Sequence, residues 1–285
     1  MAARRARGGF DLHTHSTISD GTTRPSAIAQ EAAGIGLAGF ALTDHDTIDG
    51  WDEARDAAAT AGIDFLPGIE ITSEHDGRSR HLLGYGIDPG ARAAELFAAL
   101  DEVRRSRLHR AQEMVRRLAR DYAISWADVV GDGDARTVGR PHIADALVTA
   151  GYFADRSTVF ERVLHPGSPY YIGTYAIATL DAIRMVREAG GATVLAHPAA
   201  TRQWGPVTDA ELRRLAGAGL WGIELSHPEN RESWLPPLER SAEAIGLEVT
   251  GASDYHGAGK ANRLGERATA EETVARLRER LATPR

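Results

Sequence analysis

Short apolar segments recur along this chain, and one after another runs into a histidine or a carboxylate. Phe10-Asp11-Leu12 leads into His13-Thr14-His15, and Gly39-Phe40-Ala41-Leu42-Thr43 into Asp44-His45-Asp46. The segment Phe65 to Thr72 carries Glu70, and Arg80 to Tyr85 carries His81. Thr193-Val194-Leu195-Ala196 leads into His197-Pro198. Gly222-Ile223-Glu224-Leu225 leads into Ser226-His227, and Glu248 to Ala252 into Ser253-Asp254-Tyr255-His256. These segments read as strands, and helical stretches separate them. Such alternation argues for a mainly parallel sheet, closed into a barrel. In an α/β barrel the C-terminal ends of the strands converge on one mouth. A histidine kept only for packing has no reason to hold that register. Yet six of the eleven, at 13, 15, 45, 81, 197 and 256, do so.

The residue types suit a metal centre. Positions i and i+2 of an extended strand face the same way, so His13 and His15 can meet at one point. Asp20 follows in a Ser-Asp-Gly turn. Neutral imidazoles with carboxylates bind Mn, Fe or Zn. A carboxylate such as Glu70 can bridge two ions, and two ions roughly 3.5–4 Å apart acidify a water and clamp a phosphoryl group. The residues therefore point to a metallohydrolase of a phosphate ester, with hydroxide attacking phosphorus.

At 285 residues the chain accommodates one α/β barrel or two ordinary domains. The formal charge of −7 argues against a dedicated duplex-DNA binder. A small phosphorylated substrate held by a few arginines is compatible with it. The absence of cysteine excludes disulfides, thiolate ligands and a cysteine nucleophile. No apolar run approaches the roughly 18 residues of a membrane span. The basic segment Met1 to Arg7 reads as a disordered start and not as a signal sequence. A cytoplasmic protein is expected.

The alternation breaks in the middle. Residues 91–120 read as one long helix with Leu96, Leu100, Val103, Ala111, Met114 and Leu118 on one face. Residues 121–178 read as irregular. The expected organisation is a barrel from 8–90 and 179–285, with a helical insertion at 91–178 that can serve as a cap.

Taken in order, His13-Thr14-His15 with Asp20, Thr43-Asp44-His45-Asp46, Pro67-Gly68-Ile69-Glu70, His81, Ala196-His197-Pro198 and Ser253-Asp254-Tyr255-His256-Gly257 resemble the motifs of the polymerase-and-histidinol-phosphatase (PHP) superfamily. The resemblance implies an α/β fold, a distorted barrel of seven strands. It implies two or three divalent ions. His13, His15, Glu70 and Asp254 would hold one, Glu70, His81 and His197 a second, and Asp20, His45 and His256 a third. Gly139-Arg140-Pro141-His142-Ile143-Ala144 in the insertion is similar to the stand-alone nucleotide phosphatases of the superfamily. These act on 3′,5′-nucleoside bisphosphates or nucleoside monophosphates, and some trim short RNAs from the 5′ end. Histidinol phosphate hydrolysis and a non-catalytic binding module are the alternatives.

Four more residues are candidates for substrate. Arg140 and His142 suit a phosphate contact, Arg through paired hydrogen bonds. Lys260, the sole lysine, follows the last ligand pair. His227 ends a strand in the same register as the ligands, and is a candidate to protonate the leaving oxygen or to bind substrate. Glu70 and Asp254 are expected at the centre of the chemistry. Asp44 and Asp46 are expected to orient the histidine between them, and Trp204 to pack or to stack on a base.

Overall fold

The computed structural model describes residues 8–131, 138–200 and 205–283. Met1 to Arg7 and Trp204 lie outside the described residues. The chain divides into two compact units, one of Met1–Ala99 with Ala176–Arg285, the other Leu100–Tyr175. In chain order the elements are β1 (Phe10–Asp11), α1 (Pro25–Ile35), β2 (Gly39–Leu42), α2 (Trp51–Ala61), β3 (Asp64–His75), β4 (Arg78–Tyr85), α3 (Ala94–Leu118), α4 (Trp126–Val130), α5 (Arg140–Thr149), α6 (Arg156–Arg162), β5 (Ile177–Ala178), α7 (Thr179–Glu188), β6 (Ala192–Leu195), α8 (Asp209–Ala218), β7 (Gly222–Ser226), α9 (Leu235–Ile245), β8 (Glu248–Gly251) and α10 (Glu271–Ala282). Among the described residues no helix is long and apolar enough to cross a membrane.

The first unit is a nearly closed barrel with helices around it. Strand order is β1-β2-β3-β4-β6-β7-β8, and the two-residue β5 pairs β3 off this path. Past their ends, β1 and β8 meet through a parallel bridge between Thr14 and Tyr255. His15 N–H donates to Tyr255 O at 2.8 Å, and Tyr255 N–H to His13 O at 3.3 Å. The first and last ligand segments are thus stitched together. Inside, Leu12, Leu66, Leu83, Tyr85, Val194 and Ala252 form one packed cluster. The Tyr85 hydroxyl reaches Leu12 O at 2.8 Å, so this buried phenol is paired.

Outside, α1 and α2 pack on β2. Pro25 suits the first turn of α1, and Gly36 (φ 85°) ends it in the left-handed region. Helix α1 buries Ile28, Ala29 and Ala32 against Phe40 and Leu42. Full burial of a side chain like Ile28 stabilises by about 2 kcal/mol.

The sheet departs from the expected parallel arrangement at β4, which runs antiparallel to both β3 and β6. No helix separates β3 from β4. Asp76 (φ 50°) and Gly77 (φ 72°) join them in a two-residue turn. Asp-Gly favours the hairpin turn that needs positive φ at both positions. As a result Glu70 lies mid-strand and not near a strand's end. His81 lies in the first half of β4, paired with Thr72. Because β4 is reversed, its first half sits at the end of the barrel where its neighbours' ligands emerge.

The second unit has a helical core of Met114, Leu118, Ile143, Leu147, Val159 and Leu164, among others. The segment expected to be irregular contains α4, α5 and α6. Ser125 and Asp128 form a reciprocal capping box at the start of α4, and Asp155 caps α6.

Candidate metal centre

All nine expected ligands sit in the first unit, and the structure gathers them. Four donor atoms come closest. His13 Nε2 lies 3.1 Å from His15 Nε2, 3.3 Å from Glu70 Oε2 and 3.5 Å from Asp254 Oδ1. His15 Nε2 is 3.0 Å from Glu70 Oε2 and 3.4 Å from Asp254 Oδ1. An ion with tetrahedral bonds of about 2.1 Å has ligand atoms about 3.4 Å apart. The spacing and the donor chemistry, two imidazole nitrogens and two carboxylates, fit such an ion. A second group joins Asp20, His45 and His256 with His15, and a third His45, Glu70 and His81. Within each group the donor atoms lie within 4.8 Å of one another.

Glu70 connects the groups. Its Oε1 faces His81 Nδ1 at 2.8 Å and His197 Nε2 at 3.1 Å. Its Oε2 faces His13, His15 and His45, the last at 3.2 Å. One carboxylate thereby presents an oxygen to each side. The mid-strand position of Glu70 in rigid β3 holds it there.

The loops that carry the other ligands are tied down by buried acids. Asp11 accepts hydrogen bonds from the backbone of His13, Ser253 and Gly265 and from the Ser253 hydroxyl. It binds the exit of β1 to the exit of β8. Burial is the main effect on its carboxyl and pushes it up to about 6 despite these bonds. Asp44, expected to orient His45, instead accepts from Ser16 N–H, Ser16 Oγ and Ser19 Oγ at 2.6–2.8 Å. Asp46 accepts from Thr72 N–H and Thr72 Oγ1, both at 2.7 Å. Gly21 after Asp20 allows close passage, since a Cβ there would lie 2.4 Å from His15 O. His197 (φ 30°) and Asp254 (φ 53°) adopt the left-handed region. Such backbone costs on the order of 1 kcal/mol and persists where the surroundings enforce it.

The electrostatics are those of a site built for cations. Burial would raise the carboxyls of Glu70 and Asp254, but both are held well below the usual range. For Glu70 the facing histidines outweigh burial, and for Asp254 Lys260 leads, then His13 and His256. Asp20 is held low in the same way by His256 and His45. Burial would lower His13, yet Glu224, Glu70 and Asp254 raise it well above 6.5. His15 is likewise raised against burial, to about 9, by Asp254 and Glu70.

The four substrate candidates divide between the two units, Lys260 and His227 in the first, Arg140 and His142 in the second. Lys260 Nζ is bonded to Asp254 Oδ2 at 2.5 Å and lies 3.3 Å from Glu229 Oε1. It neutralises a buried carboxylate at the edge of the cluster. Arg140 and His142 belong to the second unit. There Arg140 donates to Leu164 O at 3.2 Å and stacks over Phe160 and Tyr171, while His142 Nδ1 accepts from Gly139 N–H. His227 is at the cluster, 3.6 Å from Asp254 Oδ2.

One residue escaped the sequence reading. Glu224 on β7 is fully buried, accepts from His13 Nδ1 at 3.1 Å, and accepts the backbone N–H of His197 at 2.8 Å. The signal was present: a lone carboxylate inside the apolar run Gly222 to Leu225 must have buried partners.

Known proteins resemble the chain along most of its length. A model of the PHP domain matches residues 11–134. The 3′,5′-nucleoside bisphosphate phosphatase of Chromobacterium violaceum is 34% identical over 261 residues, 89% of this chain and 89% of the relative. The 5′-3′ exoribonuclease of Haemophilus influenzae is 30% identical over 87% of this chain and 89% of its own length. A solved structure from Bifidobacterium adolescentis, assigned as a metal-dependent phosphoesterase, superposes with a TM-score of 0.92 at 39% identity, covering 96% of each chain. Similarity at this level over the whole barrel, joined to a histidine-carboxylate cluster able to bind metal ions, places the chain in the PHP family of metal-dependent phosphoesterases.

Proposed function

We propose that the protein is a phosphatase of nucleotides, removing a phosphoryl group from a 3′,5′-nucleoside bisphosphate or a nucleoside monophosphate. Trimming of short oligoribonucleotides from the 5′ end is a second use of the same site. The observation that carries the reading is the tetrad of donor atoms from His13, His15, Glu70 and Asp254, with Glu70 facing a further set of histidines. The nucleotide part is supported by relatives named for a nucleoside bisphosphate and for RNA.

We assign His13, His15, Glu70 and Asp254 to one ion, Glu70, His81 and His197 to a second, and Asp20, His45 and His256 to a third. The nitrogen and oxygen donors suit Mn, Fe or Zn. Bound there, such ions bring water toward ionisation near neutral pH and take up phosphoryl charge. The chain supplies the rest. Glu70 fixes the spacing between the groups through its two oxygens. Asp254, on strained backbone, completes the tetrad. Glu224 sets the ring of His13. Lys260 places an ammonium at the edge of the cluster, suited to a phosphate oxygen, and His227 lines the wall beside Asp254.

The test uses the Mn-loaded protein and a panel of phosphate esters. His13→Ala and Asp254→Ala should stay folded by circular dichroism and lose turnover. The parent should prefer a nucleoside 3′,5′-bisphosphate over histidinol phosphate in kcat/KM. Near-full turnover by either variant overturns the assignment of the centre. A preference for histidinol phosphate overturns the nucleotide reading.

A further inference from the structure

His227 stands just past the end of β7, with its side chain fully buried. Its Nδ1 accepts the backbone N–H of Glu229 at 3.1 Å. A ring nitrogen that accepts a hydrogen bond carries no hydrogen, so the hydrogen of the neutral ring is on Nε2. That Nε2 is buried and has no hydrogen-bond partner among the described residues. It points at the cluster, 3.6 Å from Asp254 Oδ2 and 3.9 Å from Glu224 Oε2. The ring packs edge-on to His197, with centroids 5.3 Å apart. A buried donor left unpaired costs about 1–3 kcal/mol, so a native protein keeps one where something else comes to pair with it.

By distance alone His13, Glu224 and His227 resemble another metal group, with donor atoms within 4.8 Å. The hydrogen bonds say otherwise. A metal ligand needs a lone pair on the nitrogen that faces the ion. His227 faces the cluster with its N–H. The Glu224 oxygens are taken by His13 Nδ1 and by His197 N–H.

We propose that His227 is an N–H donor, through Nε2, for an oxygen of the substrate's phosphoryl group, and not a metal ligand. This rests on the phosphoesterase reading above. A donor fixed by the backbone in a water-poor wall is suited to charge that develops on a phosphoryl oxygen. Of the two roles expected from the sequence, protonating the leaving oxygen or binding substrate, this is the second.

The experiment compares the metal-loaded parent with His227→Gln, which keeps an amide N–H near the Nε2 position, and His227→Ala. Elemental analysis should find the same number of ions per chain in all three. For a nucleoside 3′,5′-bisphosphate, kcat should fall about 10²–10³-fold in the Ala variant, the usual cost of one such donor, and less than about 10-fold in the Gln variant. Inorganic phosphate, titrated calorimetrically, should bind more weakly to the Ala variant only. Loss of an ion in the Gln variant makes His227 a ligand and overturns the proposal. So does parental kcat in the Ala variant. Should the parent cleave no phosphate ester, the underlying reading fails, and phosphate binding still decides. Affinity kept by Gln and lost by Ala supports the donor, and equal affinity in all three overturns it. Should the Ala variant not fold, the Gln variant decides by its ion count and turnover.

Discussion

Glu224 Oε1 accepts a hydrogen bond from His13 Nδ1 at 3.1 Å, joining residues 211 positions apart in the chain. The bond leaves His13 Nε2 to face His15, Glu70 and Asp254. The other Glu224 oxygen holds the backbone N–H of His197 at 2.8 Å. Two N–H groups thus need two acceptor oxygens. Glu224→Gln offers one oxygen, and its amide N–H₂ then confronts another donor. Affinity for Mn or Zn should fall about 10–100-fold, the usual cost of losing such a partner to a ligating histidine. Titration of the stripped protein against a metal-sensitive chelator checks this, and an unchanged affinity would refute it.

Loading with metal should release protons. The neighbouring carboxylates raise His15 from its ordinary 6.5 to about 9 against the effect of burial, so the stripped protein holds that proton at neutral pH. A raised folded pKa stabilises fully below the unfolded value and loses that stabilisation as pH rises through the folded one. Stripped protein should therefore lose thermal stability between about pH 6.5 and 9. A metal ion needs the same Nε2 deprotonated, so metal affinity should rise across that window. Calorimetry at pH 7 in buffers of different ionisation enthalpy measures the release. Heats independent of buffer would contradict the expectation.

Much of the barrel was legible because its strands announce themselves twice, by an apolar run and by the polar residue that ends it. His45, His197 and His256 each follow such a run. What the pattern hides is direction. A mainly parallel pattern says nothing of the strands that carry Glu70 and His81, and Asp76-Gly77 between them makes a hairpin. That dipeptide is the one signal in the sequence that β4 runs the other way. Glu224 was hidden for a different reason: no spacing rule links it to His13, and only closure of the sheet brings them together. Within the helical insertion the bounds of α4 to α6 are not legible, because each is shorter than the window in which a 3.6-residue period is visible, although Ser125 and Asp128 mark one start.

Lys260→Met should separate two effects. In the structure the ammonium is bonded to Asp254 Oδ2 at 2.5 Å and holds that carboxyl low. A metal ion and the ammonium favour the same carboxylate, so removing the lysine charge should leave metal affinity equal or tighter. If Lys260 also meets substrate phosphate, KM for a nucleoside bisphosphate should rise, by about 10-fold for one lost charged hydrogen bond of 1.5 kcal/mol or so. Metal titration and steady-state kinetics on the same preparation separate the two. A raised KM with weakened metal binding would instead make Lys260 a support for Asp254 alone.

Away from the cluster, Arg80 and Glu211 form a buried bidentate pair in the first unit, with Nε to Oε1 at 2.8 Å and Nη2 to Oε2 at 3.2 Å. Arg80 is 1% exposed and Glu211 6%. The pair ties β4, next to His81, to the first turn of α8. Removing one partner strands the other charge where water does not reach, whereas removing both relieves the cost of burying either. Glu211→Leu alone should therefore destabilise the barrel by about 3–5 kcal/mol. The double variant Arg80→Leu with Glu211→Leu should recover most of that loss. Urea denaturation of the metal-stripped proteins, followed by a signal from the first unit, measures both. The decisive quantity is their difference: if the double variant is as unstable as the single one, the loss comes from packing around Glu211 and not from an uncompensated Arg80.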